Sequence, residues 1–110
     1  MTEITIKRWD SGEVIICGKY ESIKDCLEKN RGSNLRGSNL RGCNLRESDL
    51  SGSDLRESDL RGSDLSWSDL SGSNLSGCNL SGCNLSGCNL RGCNLSWSNL
   101  RGSKIGRAHV

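Results

Sequence analysis

Phenylalanine and proline are absent from this chain, and tyrosine, histidine and alanine occur once each. With three Trp and one Tyr as the chain's only aromatics, Leu must supply most of the large apolar surface. At 110 residues the chain is one domain with limited capacity for an ordinary packed core. A dominant charge is also missing. Fifteen Lys and Arg stand against 13 Asp and Glu, a formal net charge of +2, which argues against free DNA or an anionic membrane as partner. No apolar run approaches the roughly 18 residues of a membrane helix. The first residues, Met1-Thr2-Glu3-Ile4-Thr5-Ile6-Lys7, lack signal-peptide organisation, so a cytoplasmic home with reduced thiols is expected. Seven Cys is an odd count, which rules out complete pairing within one chain.

What the chain does have is a period of five. From Arg31 it reads RGSNL, RGSNL, RGCNL, RESDL, SGSDL and onward to SWSNL at Ser96–Leu100, with Arg101-Gly102-Ser103-Lys104-Ile105 closing a series of 15 units. Five residues advance about 500° around an α-helix, so the Leu would spiral over its whole surface. In a flat strand an odd repeat sends successive Leu to opposite faces. All the Leu share one interior only if the chain turns a corner once per unit. Leu and the Ser or Cys two residues earlier then point inward. Asn or Asp, the next Arg or Ser, and the Gly position face solvent, and Gly eases the corner. The expected core ladder is Leu35, Leu40, Leu45, Leu50, Leu55, Leu60, Leu65, Leu70, Leu75, Leu80, Leu85, Leu90, Leu95, Leu100 and Ile105. The period predicts a β-solenoid and leaves its number of sides open.

These units resemble the pentapeptide-repeat family, whose pattern is a small residue, Asp or Asn, Leu or Phe, a polar residue, then often Gly. The resemblance covers residues 31–105 and implies an all-β, right-handed, quadrilateral β-helix with 20 residues per coil, here about four coils. One departure stands out. The family commonly places Ala at the small inward position, where this chain has ten Ser and five Cys. Replacement this uniform suggests an engineered or consensus-like sequence. A buried hydroxyl costs roughly 1–3 kcal/mol without a partner, so bonding between neighbouring coils is expected.

Residues 1–30 read as a head. Strands are predicted over Ile4–Trp9 and Glu13–Cys17, joined at Asp10-Ser11-Gly12, with a helix over Ser22–Lys29 capped by Ser22. This head should cover the first coil and shield its edge strands. Residues 106–110 form a short tail. The last coil is then expected to be uncapped, with homodimerisation through it as one consequence.

Four Cys stand five apart, Cys78, Cys83, Cys88 and Cys93. On a four-sided coil that places one thiol on each side of one turn, the ligand number of a structural zinc or iron–sulfur site. The spacing is not CxxC, and Leu should fill the axis where the sulfurs would converge. Small apolar filler is therefore the first reading and metal the alternative. Cys43 and Cys83 share a column ~9.6 Å apart by strand spacing, beyond the reach of about 7 Å for a disulfide. Cys17 and Cys26 read as filler in the head.

Trp67 and Trp97 hold the position usually given to Gly, at opposite corners, and so do not form one stacking platform. Some pentapeptide-repeat proteins bind DNA gyrase by imitating duplex DNA. Asp49, Asp54, Asp59, Asp64 and Asp69 would lend this chain some acid, but Arg36, Arg41, Arg46, Arg56 and Arg61 are interleaved with them. Nucleic-acid binding is equally disfavoured by Arg scattered over every face. Ser71–Leu90 is a full coil without charge. No catalytic set appears, since His109 is the lone His and the Ser have no paired base. The expectation is a non-catalytic scaffold, without cofactor, whose partner is a protein or none.

Overall fold

The computed structural model describes residues 1–108 and measures 34 × 26 × 22 Å. Strand β1 spans Thr2–Lys7, β2 spans Val14–Tyr20 and helix α1 spans Ile23–Lys29. The remainder is the repeat. The two strands pair antiparallel, with a bulge between Ile6 and Lys7. Both strands sit slightly off their predicted bounds, while the turn lies where Asp10-Ser11-Gly12 placed it. There the Arg8 N–H donates to the Glu13 carbonyl at 2.8 Å, and Gly12 takes a positive φ of 76°. Ser22 caps α1, its hydroxyl accepting from the Asp25 N–H at 3.1 Å. The Asp25 carboxylate accepts in turn from the Glu21 N–H at 3.0 Å.

In the repeat, residue i stands beside residue i+20 in parallel register, from Asn34 beside Asp54 to Asn84 beside Lys104. A step of 20 with one corner per five residues makes each coil four-sided. The five N–H groups of a unit account for the geometry almost completely. In the units around Leu55 and Leu60, the Asp59 N–H donates to Ser38 of the coil before at 2.9 Å, and the Leu60 N–H donates to Asn79 of the coil after at 2.8 Å. The Gly62 N–H reaches Ser81 at 3.0 Å, and the Ser58 N–H closes the corner on the Leu55 carbonyl at 3.1 Å.

The fifth N–H, on the Arg or Ser after Leu, donates to the side-chain Oδ1 of the Asn or Asp two residues earlier. This contact recurs at all 14 units from Asn34 to Asn99. Asn and Asp are therefore backbone caps as well as surface residues.

The corner residue itself has positive φ, between 66° and 77° at ten glycines. Glu47, Glu57, Trp67 and Trp97 adopt the same conformation at 59–62°, at about 1–2 kcal/mol each against a right-handed backbone. Leu35 through Leu90 are buried. Leu95 and Leu100 are half-buried, and Ile105, expected in the core, is exposed because nothing among the described residues stacks over it.

The head meets the first coil through its backbone donors. Asn39 N–H donates to the Lys7 carbonyl at 2.8 Å, in the place that an earlier coil would take, and Trp9 N–H donates to Gly37 at 3.0 Å. On another side the Glu28 carboxylate accepts from the Asp49 N–H at 2.7 Å. Ile6, Cys26 and Leu27 join the Leu core. Cys17, expected as filler, is exposed: it pairs with Thr5 on the face of the hairpin opposite Ile6 and Ile16.

Candidate functional site

Three sets of side chains carry whatever chemistry the repeat has. The inward set is Ser and Cys. Ser48, Ser68 and Ser73 donate to the Leu carbonyl of their own corner at 2.6–2.7 Å, so most hydroxyls are satisfied within a coil and not between coils. The thiols reach further. Cys78, Cys83 and Cys88 donate across to the Leu55, Leu60 and Leu65 carbonyls of the preceding coil at 2.7–2.8 Å. Ser63 and Ser68 lie 3.2 Å from the thiols of Cys83 and Cys88 stacked on them. Among the described residues, Ser53 Oγ has no partner.

Burial pushes the Cys78 thiol up to about 12, and pushes Cys83, Cys88 and Cys93 in the same direction. The four thiols occupy four successive sides of the coil around a Leu-filled axis. Among the described residues, no group of three or more His, Cys, Asp or Glu is placed to hold a metal ion. All seven Cys are free.

The outward set is Arg and Asp. Arg56 makes two contacts of 2.8 Å with Asp54, and Arg61 two of 2.9 and 2.7 Å with Asp59. Arg31 pairs with Asp49 at 2.9 Å and Arg46 with Asp64 at 3.8 Å. Asp59, expected to face solvent, is only 4% exposed. Burial alone would raise its carboxyl, but hydrogen bonds from Arg61 and the charges of Arg61 and Arg41 outweigh that and hold it below the usual carboxylate range. The acids of the chain end at Asp69, leaving Arg91, Arg101, Lys104 and Arg107 in a stretch without a carboxylate. That asymmetry was legible in the sequence, behind a total near neutrality.

The third set is the corners. Trp67 lies over Gly87 of the next coil, where an added Cβ would meet its ring at 2.5 Å, and remains 56% exposed. Trp97 is 94% exposed, at the opposite corner from Trp67. The corner stacked through Gly37, Glu57, Gly77 and Trp97 gains a residue that the repeat pattern did not indicate. Trp9 leaves the hairpin and donates its indole N–H to the Glu57 carbonyl at 2.7 Å. Beside it the Arg8 guanidinium lies 3.0 Å from where a Cβ on Gly37 would stand, and Arg36 pairs with Glu57.

Known proteins were compared with this architecture. A family model described as pentapeptide repeats matches residues 31–66 and 68–106 in eight copies. Among solved structures, the chain is similar to the pentapeptide repeat protein Rfr23 from the cyanobacterium Cyanothece 51142. The two share 32% identity over 69% of this chain and 59% of that one, with a TM-score of 0.55. It is similar also to HetL from the cyanobacterium Nostoc sp. strain PCC 7120, a pentapeptide repeat protein involved in heterocyst differentiation regulation. There the identity is 31% over 64% of this chain and 38% of that one, with a TM-score of 0.38. This chain thus spans less than two thirds of either protein's length. A comparison with curated proteins returns no match. The units of residues 31–106 and their register place the chain in the pentapeptide-repeat family, whose members form right-handed β-helices.

Proposed function

We propose that this protein is a non-catalytic, cytoplasmic scaffold that binds a protein partner along the outer faces of a rod of about four coils, with the N-terminal hairpin and helix as its cap. The observation that carries this reading is the accounting of N–H groups. Leu, Asn or Asp, and the corner residue specify the coil, so the Arg or Ser after each Leu is held on a rigid column and is free to vary. Rigid display lowers the ordering cost of binding. DNA gyrase binding by imitation of duplex DNA is the weaker alternative. Four of the five consecutive Asp already face an Arg, and no acid follows Asp69.

The test places Arg where other units already carry it, one side at a time: Ser71→Arg, Ser76→Arg, Ser81→Arg and Ser86→Arg. A partner captured by the parent chain should be lost on one of these variants while the melting temperature holds. Equal capture by all of them would overturn the reading.

A further inference from the structure

Trp9 leaves the hairpin to reach the second coil, and a recess of about 240 Å³ lies between it and the repeat. Its lining includes Trp9, Glu57, Asp59, Arg61, Gly77 and Asn79. All of these belong to the head or to the second and third coils, and further coils lie on both sides of them.

The lining has two kinds of surface. The Trp9 indole N–H donates to the Glu57 carbonyl at 2.7 Å, so the ring is fastened in place and offers the recess apolar surface only. The rest is polar. Asp59 is only 4% exposed, and its carboxylate accepts three N–H groups of Arg61, at 3.2, 2.9 and 2.7 Å. A carboxylate has about four acceptor sites, so roughly one stays open. Arg61 Nη1 is left without a partner among the described residues. So is Asn79 Nδ2, while Asn79 Oδ1 accepts from the Ser81 N–H at 3.1 Å.

These groups narrow the ligand. An anion entering the recess meets the Asp59 carboxylate, and a cation meets Arg61, with Arg41 3.6 Å from the same Asp59. A neutral molecule avoids both. It has to accept from Arg61 and Asn79 and donate to Asp59, which a hydroxyl does with its one O–H and two lone pairs. It also has to present apolar C–H groups to the electron-rich face of an indole. A pyranose ring carries hydroxyls on its rim and C–H groups on its faces. The volume suits one such ring, being below the ~300–1,000 Å³ of sites for larger molecules.

We infer that this recess binds one neutral pyranose ring of a carbohydrate, with its C–H face on Trp9 and its hydroxyls donating to Asp59 and accepting from Arg61 and Asn79. The inference goes beyond the scaffold reading and does not rest on a protein partner.

The test titrates the isotope-labelled full chain with the methyl glycosides of glucose, galactose, mannose and N-acetylglucosamine, and follows the indole N–H signals of the three Trp by NMR. At least one glycoside should shift the Trp9 signal saturably, with a Kd on the order of 1 mM for so small a ligand. The Trp67 signal should stay in place. Asp59→Asn keeps the Oδ1 that caps the coil, as Asn39 and Asn79 do in the same column. That variant should therefore fold, and should bind about tenfold more weakly. Trp9→Leu should lose at least as much, and Trp67→Ala should lose nothing. No saturable shift with any of the four glycosides, or undiminished binding by Asp59→Asn, would overturn the inference. Tighter binding of glucuronate than of methyl glucoside would contradict the neutral ligand. Saturation by adenosine but by no glycoside would replace the sugar with a nucleobase.

Discussion

The first half of the repeat, to Leu70, and the second half solve one geometry with different chemistry. The first is laced with Arg–Asp pairs and has nearly all Ser inside. The second has no acid, places Cys78, Cys83, Cys88 and Cys93 inside, and includes a coil without charge. Yet the backbone ladder is the same in both, with Leu40 N–H to Asp59 at 2.8 Å and Leu80 N–H to Asn99 at 2.7 Å. The ion pairs are thus not what closes the coil. Leu inside, a carbonyl-bearing side chain before it, and a left-handed corner after it suffice, and everything else is left for recognition.

The largest effect should come from removing what both halves share. Leu60→Ala, at a site buried in the middle of the stack, is expected to cost about 2–5 kcal/mol in urea unfolding. Leu100→Ala, at a half-buried site, should cost about 1 kcal/mol. Equal losses would mean that the stack does not set the core.

Alkali should separate the halves next. A thiol whose folded pKa is raised favours the folded state while it is protonated. Its contribution is intact below the ordinary value of 9.0 and is lost as pH rises toward about 12 for Cys78. Replacing Cys78, Cys83, Cys88 and Cys93 with Ser should flatten that alkaline loss of stability. An undiminished loss in the Ser variant would place its origin elsewhere.

Smaller effects probe the corner and its cap. Asn79→Ala strips the acceptor from the Ser81 N–H and should cost about 1 kcal/mol. Glu47→Gly relieves a non-glycine residue at φ 59° and should stabilise by about 0.5–1 kcal/mol, since Gly also loses more entropy on folding. Destabilisation by Glu47→Gly would show that its side chain contributes more than its backbone conformation costs.

Much of this was legible in the period. Five is odd, so a corner per unit was required, and the inward Leu and the permissive Gly followed from it. The Ser22 cap and the Asp10-Ser11-Gly12 turn were likewise written locally. The number of sides was not, because every unit resembles every other and no 20-residue pattern overlies the five. The second role of Asn and Asp was hidden by their polarity, which suits solvent as well as a cap. Asp59 was misplaced because its cover comes from neighbours outside its own unit, among them Trp9 and Arg61 across one recess. Trp9 itself joins the Glu57 corner through a contact 48 residues distant in sequence, which no local pattern encodes. The thiols reach the preceding coil where most hydroxyls do not, a matter of side-chain length that a small-residue position does not reveal.

The step of 20 fixes which residues share a column. Its most direct measurement is cross-linking by oxidation in a Cys17→Ser background. Asn74→Cys with Asn94→Cys joins positions that lie side by side, within the ~4.4–6.8 Å that a disulfide spans, and the pair should oxidise to an intramolecular bond. Asn74→Cys with Asn89→Cys places the thiols on different sides of the rod and should stay reduced. A bond in the second pair and none in the first would contradict the four-sided coil and every column built on it.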